Sequence, residues 1–334
     1  MKNKFDIISM TSQEFKNKVK HLAINKKCFF FMVDFEKKKP LVLTNEEINT
    51  SKILFKVGEF SNFQNPKNKN HKKISINKIP IKKSKYLKSF NKVQDHINRG
   101  DTYLLNLTFP SKITLNDTFE NIFYKADSRY KILMKDSFVS FSPECFIQIK
   151  NNKVFSYPMK GTISSKVNNA KNKIINDKKE IREHSTIVDL IRNDLAMLAK
   201  KIKVNKFRYI EEVFNNESSL LQVSSEIEGD LQNNWQKDLG DFLWNILPAG
   251  SVSGAPKDKT LEIIKSVELD ERGYYSGIYG YFDGKTLDSA VNIRYIENTD
   301  SNGLCFRSGG GITSNSKFED EFDELIKKIY VPTI

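Results

Sequence analysis

One lysine stands where the sequence changes from apolar residues to a flexible turn. Lys160 follows the segment Tyr157-Pro158-Met159 and precedes Gly161-Thr162, within the stretch SYPMKGTISS. A lysine in such a place can cap the end of a strand, pair with a carboxylate, or act as a nucleophile once it has lost its proton. The stretch itself leaves these three alternatives open.

A carboxylate is expected close to this lysine. Residues 145–159 predict a β-hairpin that turns at Asn151-Asn152, because asparagine tolerates the positive φ angles of tight turns. With a two-residue loop Glu144 lies opposite Met159, and with a three-residue loop it lies opposite Lys160. Either register brings the carboxylate near the ammonium. A plain cross-strand ion pair, which contributes about 0.2–1 kcal/mol, is the simplest interpretation, and a catalytic pair is the alternative.

A second carboxylate, Glu183, begins an amphipathic helix. Within residues 182–201 apolar side chains recur at spacings of four, four and three, at Ile187, Ile191, Leu195 and Leu198. Glu183 precedes Ile187 by one turn on the same stripe, so we expect it to point inward at the start of the helix. There it can stabilise the positive end of the helix macrodipole, or it can face a cation.

The last predicted helix, residues 316–330, carries more acid than its cap needs. Ser316 and Glu319 predict a capping box. Five carboxylates occupy the first two turns: Glu319, Asp320, Glu321, Asp323 and Glu324. Glu321 and Glu324 lie three residues apart and share one side of the helix, where like charges repel. Either a hard divalent cation holds them together or solvent surrounds them.

Two glycine-bearing stretches suit a ligand. Residues 248–268 form a Gly/Ser/Pro loop that runs into a helix, where free backbone N–H groups can bind an anion such as a carboxylate. Residues 307–316 contain three consecutive glycines, which allow the backbone to approach a ligand closely. Neither stretch is a phosphate loop, and no GxGxxG follows a strand, so nucleotide cofactors are disfavoured.

The composition is that of a soluble globular protein. Hydrophobic residues make up 39% and charged residues 28%, and no apolar run reaches the roughly 18 residues of a membrane span. The three cysteines contain no CxxC, and the first fifteen residues lack the apolar region and cleavage site of a secretory signal, so we expect a cytoplasmic protein. The formal charge of +13 comes from lysine spread among asparagine, without a nucleic-acid-binding motif. We therefore expect neither nucleic acid nor a membrane as a partner.

The order of predicted elements indicates an α+β fold. Strands occur in neighbouring groups rather than in a regular βα alternation, which disfavours a doubly wound sheet. Residues 61–85, rich in lysine, asparagine and proline, predict a long surface loop or a linker. The clearest elements are strands at 28–35, 41–43, 103–109 and 145–150 and a helix at 86–100 that ends at Gly100.

Eight blocks, in this order along the chain, resemble the chorismate-utilising enzymes. That family includes the large subunits of anthranilate synthase and aminodeoxychorismate synthase, with isochorismate and salicylate synthases. The blocks are SPECF (142–146), PMKGT (158–162), EHSTIVDLIRND (183–194), SSEIEGDL (224–231), PAGSVSGAPK (248–257), RGYYSGIYGY (272–281), LDSAVNIR (287–294) and GGGITSNSKFEDEFDE (309–324). The resemblance implies a single domain over residues 1–334, with two packed β-sheets surrounded by helices. It covers residues 95–330, the catalytic core, and residues 1–90 carry little of it.

The resemblance also implies a magnesium-dependent site for chorismate. In the family Mg²⁺ is held by glutamates at the positions of Glu183, Glu321 and Glu324. Arg294 is expected to pair with a substrate carboxylate in a fork geometry that lysine cannot copy. Further substrate-binding residues implied by the family blocks are Tyr275, Thr162 and the backbone N–H groups of Ser253, Gly254 and Gly310.

Lys160 separates the subgroups of the family. Anthranilate synthases typically have alanine at this position, whereas aminodeoxychorismate synthases typically have lysine. In the implied mechanism the lysine amine attacks ring atom C2 while the C4 hydroxyl leaves, and ammonia then adds at C4 and expels the lysine. Glu144 protonates the leaving hydroxyl as general acid. The resemblance thus implies an enzyme that converts chorismate and ammonia to 4-amino-4-deoxychorismate, for 4-aminobenzoate and folate biosynthesis. The ammonia would come from a separate glutamine amidotransferase subunit.

Three alternatives remain at this point: an anthranilate synthase, an isochorismate synthase, and a non-catalytic relative that binds chorismate. Three departures from the family pattern concern the substrate contacts. Gln222 stands where anthranilate synthases tend to have histidine, Ser164-Ser165 where the family often has Pro-Arg, and Cys145 where arginine is common. The loss of that histidine fits an enzyme that does not eliminate pyruvate.

Overall fold

The computed structural model describes residues 9–66, 73–214, 219–299 and 303–332. The α-helices in these ranges are Ser12–Ile24 (α1), Asn45–Thr50 (α2), Lys83–Asn98 (α3), Phe119–Lys125 (α4), Ala170–Asn176 (α5), Lys178–Leu195 (α6), Leu239–Asn245 (α7), Gly250–Ser253 (α8), Lys257–Val267 (α9) and Phe318–Lys327 (α10). A 3-10 turn spans Trp235–Lys237. No helix in the described ranges has the length and apolar character needed to span a membrane.

The strands in the described ranges are Phe29–Val33 (β1), Leu41–Thr44 (β2), Ile53–Val57 (β3), Phe60–Ser61 (β4), Ile76–Ile79 (β5), Leu104–Leu115 (β6), Tyr130–Met134 (β7), Phe138–Ser142 (β8), Cys145–Lys150 (β9), Lys153–Ser156 (β10), Met159–Ser164 (β11), Ala199–Phe214 (β12), Ser219–Leu231 (β13), Gly254–Ala255 (β14), Ile278–Phe282 (β15), Leu287–Val291 (β16), Tyr295–Thr299 (β17) and Gly303–Ile312 (β18). They form two antiparallel sheets. The first follows the order β11-β13-β10-β9-β16-β15-β1-β2, with β12 also paired to β13. The second follows the order β14-β6-β18-β17-β8-β7-β3-β4, with β5 paired to β6.

An apolar core lies between the two sheets, so the predicted α+β fold with packed sheets is confirmed. Strand β1 shows how the layers arise. All five of its residues are buried, because alternate side chains point to opposite faces and both faces are covered. Phe30 faces the second sheet and stacks on Phe55 of β3 with ring centroids 4.6 Å apart. Phe29, Phe31 and Val33 face the other way, into a core with α1, α6 and α7.

The predicted hairpin is confirmed in its turn and wrong in its extension. Asn151 and Asn152 have φ angles of 53° and 55°, and Lys150 pairs with Lys153, so the loop has two residues. Beyond Ser156, however, the chain leaves β9, and β11 pairs with β13 instead. The expected cross-strand position of Glu144 next to Lys160 is therefore wrong, because these residues do not belong to paired strands.

The local structure differs from the prediction in three further places, at the start of α6, at the start of α10 and in residues 61–85, and it places the three consecutive glycines within a strand. Helix α6 begins at Lys178 with Asp177 as N-cap, so Glu183 lies in its second turn and not at its start. No side chain caps α10, and the hydroxyl of Ser316 donates to Glu321 (2.6 Å) instead of forming a capping box. The three glycines 309–311 lie inside β18. The expected loop at 61–85 contains β5, and its residues 67–72 lie outside the described residues.

Candidate active site

A β-bulge places Lys160 in the site. Met159 pairs with Ser224 and Thr162 pairs with Gln222, so Lys160 and Gly161 together oppose one residue of β13. Gly161 has a φ of +81°, a conformation that favours glycine. Bulges of this kind redirect a side chain and are common beside active sites. The backbone of Thr162 continues β11 after the bulge.

The ammonium of Lys160 lies next to residues of α6 and β18. Its Nζ lies 3.9 Å from Glu183 Oε2, and the lysine side chain is 18% exposed. A Cβ placed on Gly311 would be 3.2 Å from the same Nζ and 3.5 Å from Glu183 Oε2. The ammonium of Lys160, from the first sheet, thus lies next to Gly311 of the second sheet. A side chain at position 311 would crowd this contact.

Glu183 is buried beside two lysines. Its side chain is 6% exposed, and burial raises its pKa to about 7, although Lys160 and Lys179 act in the opposite direction. Lys179 Nζ lies 3.8 Å from Glu183 Oε1, one helical turn away. Glu183 therefore has the inward orientation that its place on the apolar stripe predicts.

Replacement of Glu183 with glutamine should remove part of the pH dependence of stability in metal-free protein. Because the folded state raises this pKa above the unfolded value, the carboxyl stabilises the fold below about pH 4.5, and this stabilisation is lost as the pH rises through about 7. The loss is on the order of 3 kcal/mol for the wild type. Urea unfolding at mildly acidic and mildly alkaline pH, with EDTA present, measures it. Glu59→Gln, on an exposed residue, is the control; an unchanged pH dependence in Glu183→Gln would contradict the assignment.

The acidic helix α10 contributes Glu321 and Glu324 on one side, as predicted. A Cβ placed on Gly310 would be 3.3 Å from Glu321 Oε2 and 3.5 Å from Glu324 Oε1. Lys328 lies 2.6 Å from Glu324 Oε1 and also donates to the carbonyl of Gly309 (2.8 Å). Burial acts to raise the pKa of Glu324, but Lys328 and more distant lysines outweigh it, so the pKa is lowered. Glu324 is therefore held as a carboxylate.

The donor atoms of this cluster suit a hard divalent cation. Glu183 Oε1 and Glu321 Oε2 are buried oxygens that have no hydrogen-bond partner within the described residues. Buried carboxylate oxygens without partners are costly unless a cation or donor reaches them. Across those same ranges, however, no three acidic, imidazole or thiol side chains converge closely enough to coordinate an ion. Lysine ammonium groups lie against the carboxylates instead.

Glu144 lies next to α8. The hydroxyl of Ser251 donates to Glu144 Oε1. Burial raises the pKa of Glu144, opposed by the Ser251 hydrogen bond and then by Lys160 and Arg294. A carboxyl with a raised pKa holds its proton nearer to neutral pH, which suits a general acid. Its electrostatic interaction with Lys160 is retained, although the two do not lie on paired strands.

Arg294 and Tyr275 complete the set of side chains. Arg294 follows β16 with a φ of 55°, and its guanidinium lies 5.1 Å from the ring centre of Tyr330. Its Nε is buried and, among the described residues, has no hydrogen-bond acceptor. The positive charge of Arg294 acts to lower the pKa values of both Glu144 and Tyr275, so it lies near both groups. An unpaired guanidinium donor is suited to a carboxylate ligand.

The loop at residues 248–257 does not offer the predicted backbone N–H group of Ser253 to a ligand. The backbone N–H of Ser253 donates to the carbonyl of Ala249 (3.1 Å), so it is already used within α8. Gly254 has a φ of +136° and pairs with Leu105 of β6. A Cβ on Gly254 would collide with the carbonyl oxygen of Leu104, so only glycine fits there. This segment joins α8 to the second sheet.

Three contacts in the site were not predicted from the sequence: those of Lys179, Lys328 and Ser251. Lys179 and Lys328 each lie four residues from a glutamate on the same helix, a spacing that indicates i,i+4 ion pairs. That signal was available in the sequence. Ser251 carries no comparable signal, because its contact with Glu144 joins segments that are distant in sequence.

Sequence comparison supports the family assignment. Residues 10–333 match the sequence profile of chorismate binding enzymes. The chain belongs to the chorismate-binding enzyme family. This assignment agrees with the resemblance of the eight blocks and extends it toward the N-terminus as far as residue 10.

Individual relatives place the chain among several chorismate-binding enzymes. A Haemophilus influenzae protein described as "Uncharacterized PabA-like protein" is 46% identical over 96% of this chain and 97% of its own length. Aminodeoxychorismate synthase component 1 of Bacillus subtilis is 28% identical over 75% of this chain and 55% of its own length. Anthranilate synthase component 1 of Acetivibrio thermocellus is 31% identical over 78% of this chain and 54% of its own length.

Solved structures of the chorismate-binding family share the fold. Anthranilate synthase component I of Streptococcus pneumoniae superposes with a TM-score of 0.65 at 24% identity, covering 79% of this chain and 60% of that one. The menaquinone-specific isochorismate synthase of Escherichia coli gives a TM-score of 0.69 at 15% identity, covering 96% of this chain and 82% of that one. At these identities the likeness concerns the fold.

Proposed function

We propose that this chorismate-binding enzyme is the synthase subunit of 4-amino-4-deoxychorismate synthase, which replaces the C4 hydroxyl of chorismate with an amino group. One observation carries the proposal: the bulge in β11 directs Lys160 to within 3.9 Å of Glu183, inside the cluster of family residues. A lysine at this place supplies a nucleophile that alanine cannot.

The proposed reaction proceeds in two substitutions at the ring. The neutral amine of Lys160 forms a bond to C2, both ring double bonds shift (C1=C2 and C5=C6 become C1=C6 and C4=C5), and the C4–O bond breaks. Glu144 transfers its proton to the departing hydroxyl, which leaves as water. Ammonia then forms a bond to C4, both double bonds shift back, the C2–N bond to Lys160 breaks, and the new ammonium at C4 returns a proton to the Glu144 carboxylate. The net change is the exchange of hydroxyl for amine with the release of one water, and the enolpyruvyl group is kept.

The remaining site residues bind and orient the substrate in this proposal. Arg294, whose Nε has no acceptor among the described residues, is suited to pair with a carboxylate of chorismate. Magnesium held by Glu183, Glu321 and Glu324 would offset their charge and bind the ring carboxylate. Tyr275, which is 4% exposed and packs in the apolar core beside Tyr295, would contact the ring in this proposal. The backbone at Gly310, next to Glu321 and Glu324, leaves room for that carboxylate because it has no side chain.

The ammonia is proposed to come from a glutamine amidotransferase subunit. The sequence shows no Cys/His arrangement of a glutaminase. Of its cysteines, Cys145 and Cys305 are buried, which does not suit a nucleophile for a diffusing amino acid. The product would serve 4-aminobenzoate and folate biosynthesis.

Product identification tests the proposal. The purified chain is incubated with chorismate, magnesium and concentrated ammonium at mildly alkaline pH, because free ammonia replaces the missing subunit. Mass spectrometry is expected to show chorismate in which an amino group has replaced a hydroxyl and the enolpyruvyl group remains. Aminobenzoate without the enolpyruvyl group would instead indicate anthranilate synthase. A product of unchanged mass would indicate isochorismate synthase, and tight binding without turnover would indicate a non-catalytic relative.

A further inference from the structure

Lys179 has no step in the proposed reaction, yet its ammonium lies inside the acidic cluster. Its Nζ is 2.7 Å from Glu321 Oε1 and 3.8 Å from Glu183 Oε1, so one cation joins carboxylates of α6 and α10. The side chain is 33% exposed, and Glu321 is 1% exposed. The pKa of Lys179 is raised, because its hydrogen bond to Glu321 and the neighbouring carboxylates outweigh the effect of burial.

Three lysines lie against the carboxylates of the site, and their other contacts differ: Lys160, Lys179 and Lys328. Lys160 stands in the bulge and is assigned the nucleophilic role, and Lys328 also donates to the carbonyl of Gly309. Lys179, in contrast, contacts carboxylates. It belongs to the first turn of α6 and lies at a partly exposed position from which a long, flexible side chain can move into solvent.

We infer that Lys179 is an internal counter-ion that occupies the divalent-cation position of the metal-free enzyme and is displaced when the cation binds. This inference rests on the proposed magnesium site. The ammonium keeps Glu183 and Glu321 together in the absence of metal, where their like charges would otherwise repel. Cation binding must then break the 2.7 Å hydrogen bond between Lys179 and Glu321. Metal loading is an exchange of one cation for another.

The exchange predicts that Lys179→Met binds magnesium more tightly than the wild type. Methionine keeps the length and apolar stem of the side chain but removes the ammonium. We expect the Kd for Mg²⁺, measured by isothermal titration calorimetry without substrate, to fall by about tenfold or more, the size associated with one charge-assisted hydrogen bond that no longer has to break. Thermal unfolding in EDTA should occur at a lower temperature in this variant, because the carboxylates lose their counter-ion.

Lys178→Met is the matched control. Lys178 is the preceding residue of the same helix, is exposed, and carries the same charge. An equal gain in magnesium affinity in Lys178→Met would show a general charge effect and overturn the exchange. Unchanged or weaker affinity in Lys179→Met would overturn it as well.

A measurement on the wild type keeps the inference testable should the variant fail to fold. Acetylation of lysine side chains with a soluble reagent, quantified by mass spectrometry, reports their exposure. Lys179 is expected to react faster after magnesium is added, whereas Lys178 should not change; equal reactivity of Lys179 with and without magnesium overturns the exchange. If the wild type binds no magnesium at all, both the metal site and the exchange are wrong. The amination by Lys160 is then judged separately, by the products formed.

Discussion

Replacement of Lys160 with alanine is expected to abolish formation of 4-amino-4-deoxychorismate, lowering its rate on the order of 10³-fold or more. Alanine removes the only atom that the proposal assigns to attack on C2. The fold should persist, because Lys160 lies in a bulge beside Gly161 and contributes no side chain to the apolar cores. Affinity for chorismate should change far less than the rate, since Arg294 and the acidic cluster remain.

The products of Lys160→Ala carry as much information as its rate. Without the lysine, ammonia itself is the remaining nucleophile, and its direct attack on C2 gives the regiochemistry of the anthranilate synthases. Chromatography with mass detection, with free ammonium as the nitrogen source, measures both isomers. Lys171→Ala removes one exposed positive charge in α5 nearby and serves as the control. If Lys160→Ala keeps more than about a tenth of the wild-type rate of C4 amination, the nucleophilic role is wrong.

Replacement of Glu144 with glutamine is expected to lower kcat by about 10²–10⁴-fold, the range associated with the loss of a general acid. Glutamine keeps the shape of the side chain and can still accept the hydrogen bond from Ser251, so KM should change little. The C4 hydroxyl would then have to leave without a proton.

The pH dependence of the reaction rate tests whether Glu144 donates a proton. Only the protonated carboxyl of Glu144 donates, so the wild-type rate should fall as the pH rises through its raised pKa. This alkaline limb should vanish in Glu144→Gln. Because the Ser251 hydrogen bond acts to lower the pKa, Ser251→Ala should shift the limb to higher pH. A Glu144→Gln enzyme whose kcat stays within about threefold of the wild type would exclude the role of general acid.

Local patterns predicted the single elements well, because each depends on neighbouring residues. The apolar run of β1, the Asn151-Asn152 turn and the inward orientation of Glu183 all follow from spacing and turn chemistry. The fold with two packed sheets and the family were predicted from the eight ordered blocks together. No single one of them would have sufficed.

The sequence failed where long-range pairing decides the structure. Strand register alone predicts that the hairpin continues to Lys160, but β11 pairs with β13 because the chain leaves β9 after Ser156. The expected cap at Ser316 failed because its hydroxyl donates to Glu321. The backbone N–H of Ser253 bonds within α8. Each outcome depends on a partner that adjacent residues do not specify.

The position of the new nitrogen tests the central claim most directly. Mass alone does not distinguish chorismate aminated at C4 from its isomer aminated at C2. The wild-type chain is therefore incubated with chorismate, magnesium and ¹⁵N-labelled ammonium, and the carbon bound to nitrogen is identified by NMR coupling. If Lys160 attacks C2, the label must be on C4, with the enolpyruvyl group still present. Label on C2 would show that ammonia, and not Lys160, attacks that carbon.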